Sequence, residues 1–139
     1  MSPELVAAYR AARYRVETSP AFELEIDRRS APLAALHEAR RVCCSAFLTA
    51  CNPASVRLSD PDNASRQAAL EAEIRGRGYP VLAARGLDPL GSWPDEPGLL
   101  ILGIPLSEAC AIASSLGQNA IVWNGDEAVP TLVPVDQRR

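Results

Sequence analysis

Lysine is missing from this chain: all 14 basic side chains are arginine. That absence closes Schiff-base catalysis, the phosphate-loop lysine and kinase-type phosphoryl transfer, each of which depends on a lysine side chain. Histidine is nearly missing too, with His37 alone. A zinc set would therefore have to draw on four scattered cysteines that show no CxxC spacing, and no HxxxH or HxH motif exists to supplement them. No metal and no cofactor is expected. Also lacking is any run near the roughly 18 apolar residues that a membrane helix needs. The opening Met1-Ser2-Pro3-Glu4 has neither the basic start nor the long apolar stretch of a secretory signal. These absences predict a cytoplasmic protein with no membrane partner. In a reducing compartment the cysteines stay unpaired, and Cys43 and Cys110 are expected as small buried apolar residues.

What is present suits one globular domain spanning residues 1–139: 47% of residues are hydrophobic and 22% charged, enough for a core inside a solvated shell. The arginines group as Arg10-Arg13-Arg15, Arg28-Arg29, Arg40-Arg41 and Arg75-Arg77-Arg85, and such clusters can contact phosphates. The net charge of −3, with Glu17, Glu23, Glu25, Glu71 and Glu73 interleaved, favours a mixed solvated surface over nucleic-acid binding.

Hydrophobic periodicity predicts the elements. Leu5, Val6, Tyr9 and Ala12 recur at helical spacing in an opening helix. Tyr14 to Glu17 and Phe22 to Ile26 read as a hairpin turned by Thr18-Ser19-Pro20. Ser30 caps a helix from Ala31 to about Cys43, on which His37 is expected to be solvated or capping. Ser45 to Ala50 is a continuous apolar run, the pattern of a strand buried on both faces near the sheet centre. A polar loop from Cys51 to Pro61 leads to a helix from about Asp62 to Arg77. Tyr79 to Ala84 is a strand, Arg85 to Gly98 an irregular loop, and Leu99 to Ile104 a second buried strand. A helix from Pro105 to Leu116 follows. Ala120 to Trp123 and Val129 to Val133 close a hairpin across Asn124-Gly125, a pair that readily takes positive φ. Residues 136–139 are expected to fray. The expected fold is a single α+β domain, a mixed sheet of about five to seven strands carrying three to four helices.

Ligands settle outside the carboxyl ends of central strands, where loops diverge. Thr49 and Asn52 fall at that address, Asn63 at a nearby helix start, Gln118 between a helix and the next strand, and Glu96 in the long loop. Each alone reads equally as turn or cap chemistry. Together they read as a polar, ligand-binding pocket. Amides and a hydroxyl recognise neutral hydrogen-bonding groups better than they transform them, so the expected ligand is small and polar, with a nucleotide-like molecule among the options. One alternative is a small hydrolase or transferase using Glu96 as acid or base. Another is a protein–protein interaction or homo-oligomeric module built on an apolar patch of Leu90, Trp93 and Trp123. Cys51 is read as a free thiol, because His37 is poorly placed to serve it as a base.

The order Ala46-Phe47-Leu48-Thr49-Ala50-Cys51-Asn52-Pro53, then Asn63 with Arg66 and Leu70, Gly78-Tyr79, Trp93 with Glu96-Pro97, and Gly117-Gln118-Asn119-Ala120-Ile121-Val122-Trp123 resembles the bacterial domain of unknown function 3293 (DUF3293). The chain departs from that family's pattern at Cys51, where an aromatic residue is expected. The resemblance implies a small bacterial cytosolic protein in which Thr49, Asn52, Asn63, Glu96 and Gln118 are family-like positions. It brings no activity and no catalytic residues.

Overall fold

The structure, a computed structural model, describes residues 1–136. Its elements are α1 (Pro3–Ala11), β1 (Arg13–Val16), β2 (Phe22–Leu24), α2 (Ala31–Arg40), β3 (Ser45–Leu48), a single 3-10 turn (Pro53–Ser55), α3 (Asp60–Gly76), β4 (Val81–Leu87), β5 (Glu96–Leu102), α4 (Leu106–Ser115), β6 (Ala120–Asn124) and β7 (Pro130–Pro134). Among the described residues this is a single α+β domain with one seven-stranded sheet, ordered β2-β1-β4-β5-β3-β6-β7.

Every neighbouring pair is antiparallel, where a mixed sheet was expected. The reason lies in how the crossovers are split. Helix α3 links β3 to β4 with β5 lodged between them, and α4 links β5 to β6 with β3 between them. Strands joined by a crossover therefore run parallel without touching. The central βαββαβ run has the ferredoxin-like strand order, widened by the β1–β2 hairpin on one side and by β7 on the other.

Alternation along the central strands assigns each face. Ala46, Leu48, Leu99, Ile101 and Ile121 meet Leu70 and Ile74 of α3 and Ala109, Ile112 and Ala113 of α4 in one cluster. Full burial of a side chain such as Leu70 or Ile74 contributes about 1.5–3 kcal/mol, which is why these helices lie flat on the sheet. Phe47, Leu100, Leu102 and Val122 point the other way, into a second cluster with Tyr14, Val16, Leu24 and Leu33 of α2. The sheet curls toward this second face: the Asp27 N–H donates to Pro130 O at 2.7 Å and the Ser30 N–H to Ala128 O at 2.9 Å, so the segment after β2 reaches the start of β7. Helix α2 fills one end of the resulting concavity, and α1 covers the other.

Local chemistry sets the boundaries. Ser30 Oγ accepts from Leu33 N at 3.2 Å, and Arg41 ends α2 in the left-handed region at φ 57°. Ser59 Oγ accepts from Asp62 N, so α3 starts at Asp60 and Asn63 lies inside its first turn. Strands β4 and β5 run further than expected, converting Arg85–Leu87 and Glu96–Gly98 from loop to ladder. The last hairpin turns differently: Asn124 stays in β6, fully buried, and its Nδ2 donates to Ser45 Oγ at 3.2 Å. The positive φ falls on Ala128 instead of Asn-Gly.

Two further expectations are corrected. Cys43 is exposed, because the α2–β3 link surfaces there, and Cys110 is half-buried. His37 is buried, with Nε2 2.8 Å from Ser45 Oγ, and burial pushes its pKa down. Of the tail expected to fray, Asp136 accepts at its carbonyl from Ser114 Oγ at 2.5 Å, and 137–139 lie outside the described residues.

Candidate functional site

Strand β3 ends at Leu48, and the next residues turn sharply. The Thr49 hydroxyl donates to Pro97 O at 2.7 Å and accepts from Cys51 N at 3.0 Å. Asn52, Ala54 and Ser55 then take positive φ of 48°, 54° and 61°. Left-handed backbone costs an ordinary L-residue roughly 1–2 kcal/mol, so three such residues within four positions must be held by their surroundings.

Side chains from α3 supply much of that hold. Asn63 Oδ1 accepts from Asn52 N at 2.9 Å, and its Nδ2 donates to Asn52 Oδ1 at 2.8 Å. Asn52 Oδ1 also accepts from Leu58 N at 2.8 Å. Gln67 Oε1 accepts from Ala50 N at 3.0 Å, while Arg66 donates to Ala50 O at 2.7 Å and to Leu116 O at 2.8 Å. From the α4 side, Ala54 N donates to Gly117 O at 2.7 Å, and Gln118 Nε2 donates to Cys51 O at 3.0 Å. The remaining donor of the turn, Asn52 Nδ2, points across to Glu96 Oε2 at 2.7 Å.

This clamped turn forms the rim of a cleft of about 450 Å³ between α1, the loop after β4 and the concave face of the sheet, within the usual range for small-molecule sites. Leu5, Ala8 and Ala12 form its roof, and Tyr14, Phe47 and Val122 its floor. Helix α1 buries no residue completely. Its Tyr9 carbonyl accepts from the Tyr14 hydroxyl at 2.8 Å.

Four of the five residues singled out from sequence, Thr49, Asn52, Glu96 and Gln118, line this one cleft. Asn63 does not; it stands behind Asn52 and fixes its orientation. The amides are largely committed to holding the turn, so the polar character facing the cleft centres on Glu96. Burial pushes the Glu96 carboxyl above the usual carboxylate range, partly opposed by hydrogen bonds from Asn52 and Trp93. Burial likewise raises the Tyr9 phenol, against hydrogen bonds with Ser55 and Asn119. Tyr9 reads in the sequence only as one apolar position of a helix, and no local signal connects it to residues so distant in the chain.

Cys51 is buried at 1% exposure. Its Sγ lies 3.6 Å from Pro97 O, and burial raises its pKa. A protonated, enclosed thiol is a poor nucleophile. Leu90 and Trp93 border the cleft, whereas Trp123 packs against the α3–α4 cluster, so the three do not form one patch. Among the described residues no group of three or more His, Cys, Asp or Glu side chains is gathered to hold a metal, and no helix is long and apolar enough to cross a membrane.

The model of a family described as "Protein of unknown function (DUF3293)" matches residues 48–121, just over half of the 139-residue chain. The chain belongs to the DUF3293 family. The matched segment starts at the last residue of β3 and carries the turn, α3, β4, β5 and α4 as far as Ile121 in β6. Within this DUF3293 segment lie Thr49, Asn52, Asn63, Glu96 and Gln118; Tyr9 and the rest of α1 lie before it. No curated protein and no solved structure matches the chain.

Proposed function

We propose that this DUF3293 protein is a binding domain for a small molecule whose apolar body fills the cleft and whose polar end meets Glu96. The observation that carries the reading is the cleft itself: an apolar cavity of about 450 Å³ at the carboxyl end of a central strand, edged by a turn kept in left-handed backbone. Pockets of this size with few convergent polar groups are the usual form of a ligand site. The polar ligand expected from the sequence becomes an amphipathic one, because the amides spend their hydrogen bonds on the protein. Four unpaired cysteines suit a reducing interior, and together with the family resemblance they support a bacterial cytoplasmic protein.

Native mass spectrometry of freshly purified protein tests this reading. A co-purified small molecule, lost from a folded Asn52→Ala variant, is the expected result. Protein that emerges empty, and whose melting temperature is unmoved by a panel of aromatic and aliphatic compounds, overturns it.

A second reading, a hydrolase or transferase, draws support from one observation: the Glu96 carboxyl faces the cleft and sits above its usual pKa, as a general acid or base does. With Cys51 enclosed, Glu96 would act on a water or on the ligand's own proton. Turnover of any ligand identified, abolished in Glu96→Gln while binding persists, would establish it over simple binding. The interaction-module alternative, including a homo-oligomer, has less support, since Trp123 is separated from Leu90 and Trp93.

A further inference from the structure

The charged side chains that line the cleft are all of one sign. Its lining includes two carboxylates, Glu96 and Asp88, and no arginine or histidine, in a chain whose every cationic side chain is arginine. Arginines outside the lining are engaged elsewhere: Arg10 of α1 pairs with Asp27, Arg13 with Glu25 at 3.2 Å and Arg28 with Glu25 at 3.6 Å, while Arg66, behind the clamped turn, donates to Ala50 O and Leu116 O. Asp88 spends both oxygens on its own loop, accepting from Leu90 N and Trp93 N at 3.0 Å each. Glu96 differs. It accepts from Asn52 Nδ2 at 2.7 Å and from Trp93, both neutral donors, but belongs to no ion pair among the described residues. An ionised carboxylate offers about four acceptor sites, and a half-buried one without a counter-ion is unfavourable. Four aromatic residues, Tyr9, Tyr14, Phe47 and Trp93, share the lining with it, and ring faces attract cations.

Resting on the reading of the cleft as a binding site, we infer that its ligand is an organic cation, an amine or protonated nitrogen heterocycle on a flat apolar body, with Glu96 as counter-ion. Phosphorylated ligands, nucleotides included, are excluded by the same lining: a phosphate would face two carboxylates with no cation to receive it.

The test compares four probes on the intact protein by titration calorimetry: 2-phenylethylamine, 2-phenylethanol, 3-phenylpropionate and adenosine monophosphate. The amine is expected to bind at least tenfold tighter than the alcohol, with the two anions not binding measurably. Glu96→Gln, its fold checked by thermal melting, should remove the tenfold preference for the amine over the alcohol. If the alcohol binds as tightly as the amine, or an anion binds as tightly as either, the charge inference is wrong and the cleft reading stands. If the amine keeps its advantage in Glu96→Gln, the assignment to Glu96 is wrong. If no probe binds, the cleft reading falls and this inference with it.

Discussion

The two faces of the sheet are built from the same strands with opposite outcomes. On the convex face, Leu48, Ile101 and Ile121 meet two helices that present fully buried side chains, and the layer is closed. On the concave face, α2 seals one end through Leu33, but the far end is covered by α1, which has no fully buried residue and leaves a cleft. The strands thus supply apolar side chains to both sides, and what differs is the helix laid over them. A domain that closes one face and leaves part of the other lined but unfilled has separated the region that holds it together from the region free to receive a ligand.

Substitutions that remove filler should therefore hurt most on the convex face. Ile101→Ala deletes a fully buried side chain and should destabilise by about 2–5 kcal/mol. Leu5→Ala in the roof should cost under about 1 kcal/mol, because its surroundings are already open; urea melts compare the two directly, and equal losses would erase the contrast. Next in size is Gly98→Ala. A Cβ there would sit 2.6 Å from the Phe47 ring and 2.8 Å from Leu48 O, so both the ring on the cleft floor and the β3 backbone must shift. Overpacking of this kind costs roughly 1–3 kcal/mol, and the melting temperature should fall as cleft binding is lost.

A smaller effect separates a ligand-facing group from a structural one. The folded-state pKa of Glu96 is raised by burial, so as pH climbs past the ordinary value the unfolded chain releases its proton first. Stability then falls across the window between the ordinary and raised values. Glu96→Gln has no proton to lose there, so its melting temperature relative to the unaltered protein should rise from acid to neutral pH. An unchanged difference would mean that the carboxyl is not perturbed. The smallest expected change is Ala54→Gly, which relieves a left-handed alanine at φ 54° and should gain about 0.5–1 kcal/mol after the added chain entropy. A loss of stability would show that the methyl group is needed at the rim.

Much of the architecture was legible because it follows from local pattern. The unbroken run at Ser45–Leu48 marked a strand covered on both sides, and Ser30 before Ala31-Pro32 marked a helix start. What stayed hidden depends on partners far along the chain. Glycine and proline at Gly86, Pro97 and Gly98 suggested a loop, yet Gly98 is needed in the ladder because Phe47 leaves no room for a Cβ. The two split crossovers, which make the sheet antiparallel, are fixed by strand order and leave no local trace. At the site, placing Thr49 and Asn52 at a strand end followed from general rules of sheet topology. The role of Asn63 did not, since the true cap is Ser59 and the amide is thereby free to grip Asn52. Tyr9 was hidden for the same reason as His37: a helical position says nothing about which polar group waits across the interior.

The termini of the sheet carry one more consequence. Strand β2 is three residues long, and β7 both begins and ends in proline, a residue without an N–H to offer a neighbouring chain. The curl then joins the segment after β2 to Pro130. A second molecule approaching either margin finds little template on which to add a strand. The same curl that makes room for the cleft thus resists fibrous self-association, and the protein should stay dispersed at concentrations where a flat sheet with open margins would aggregate.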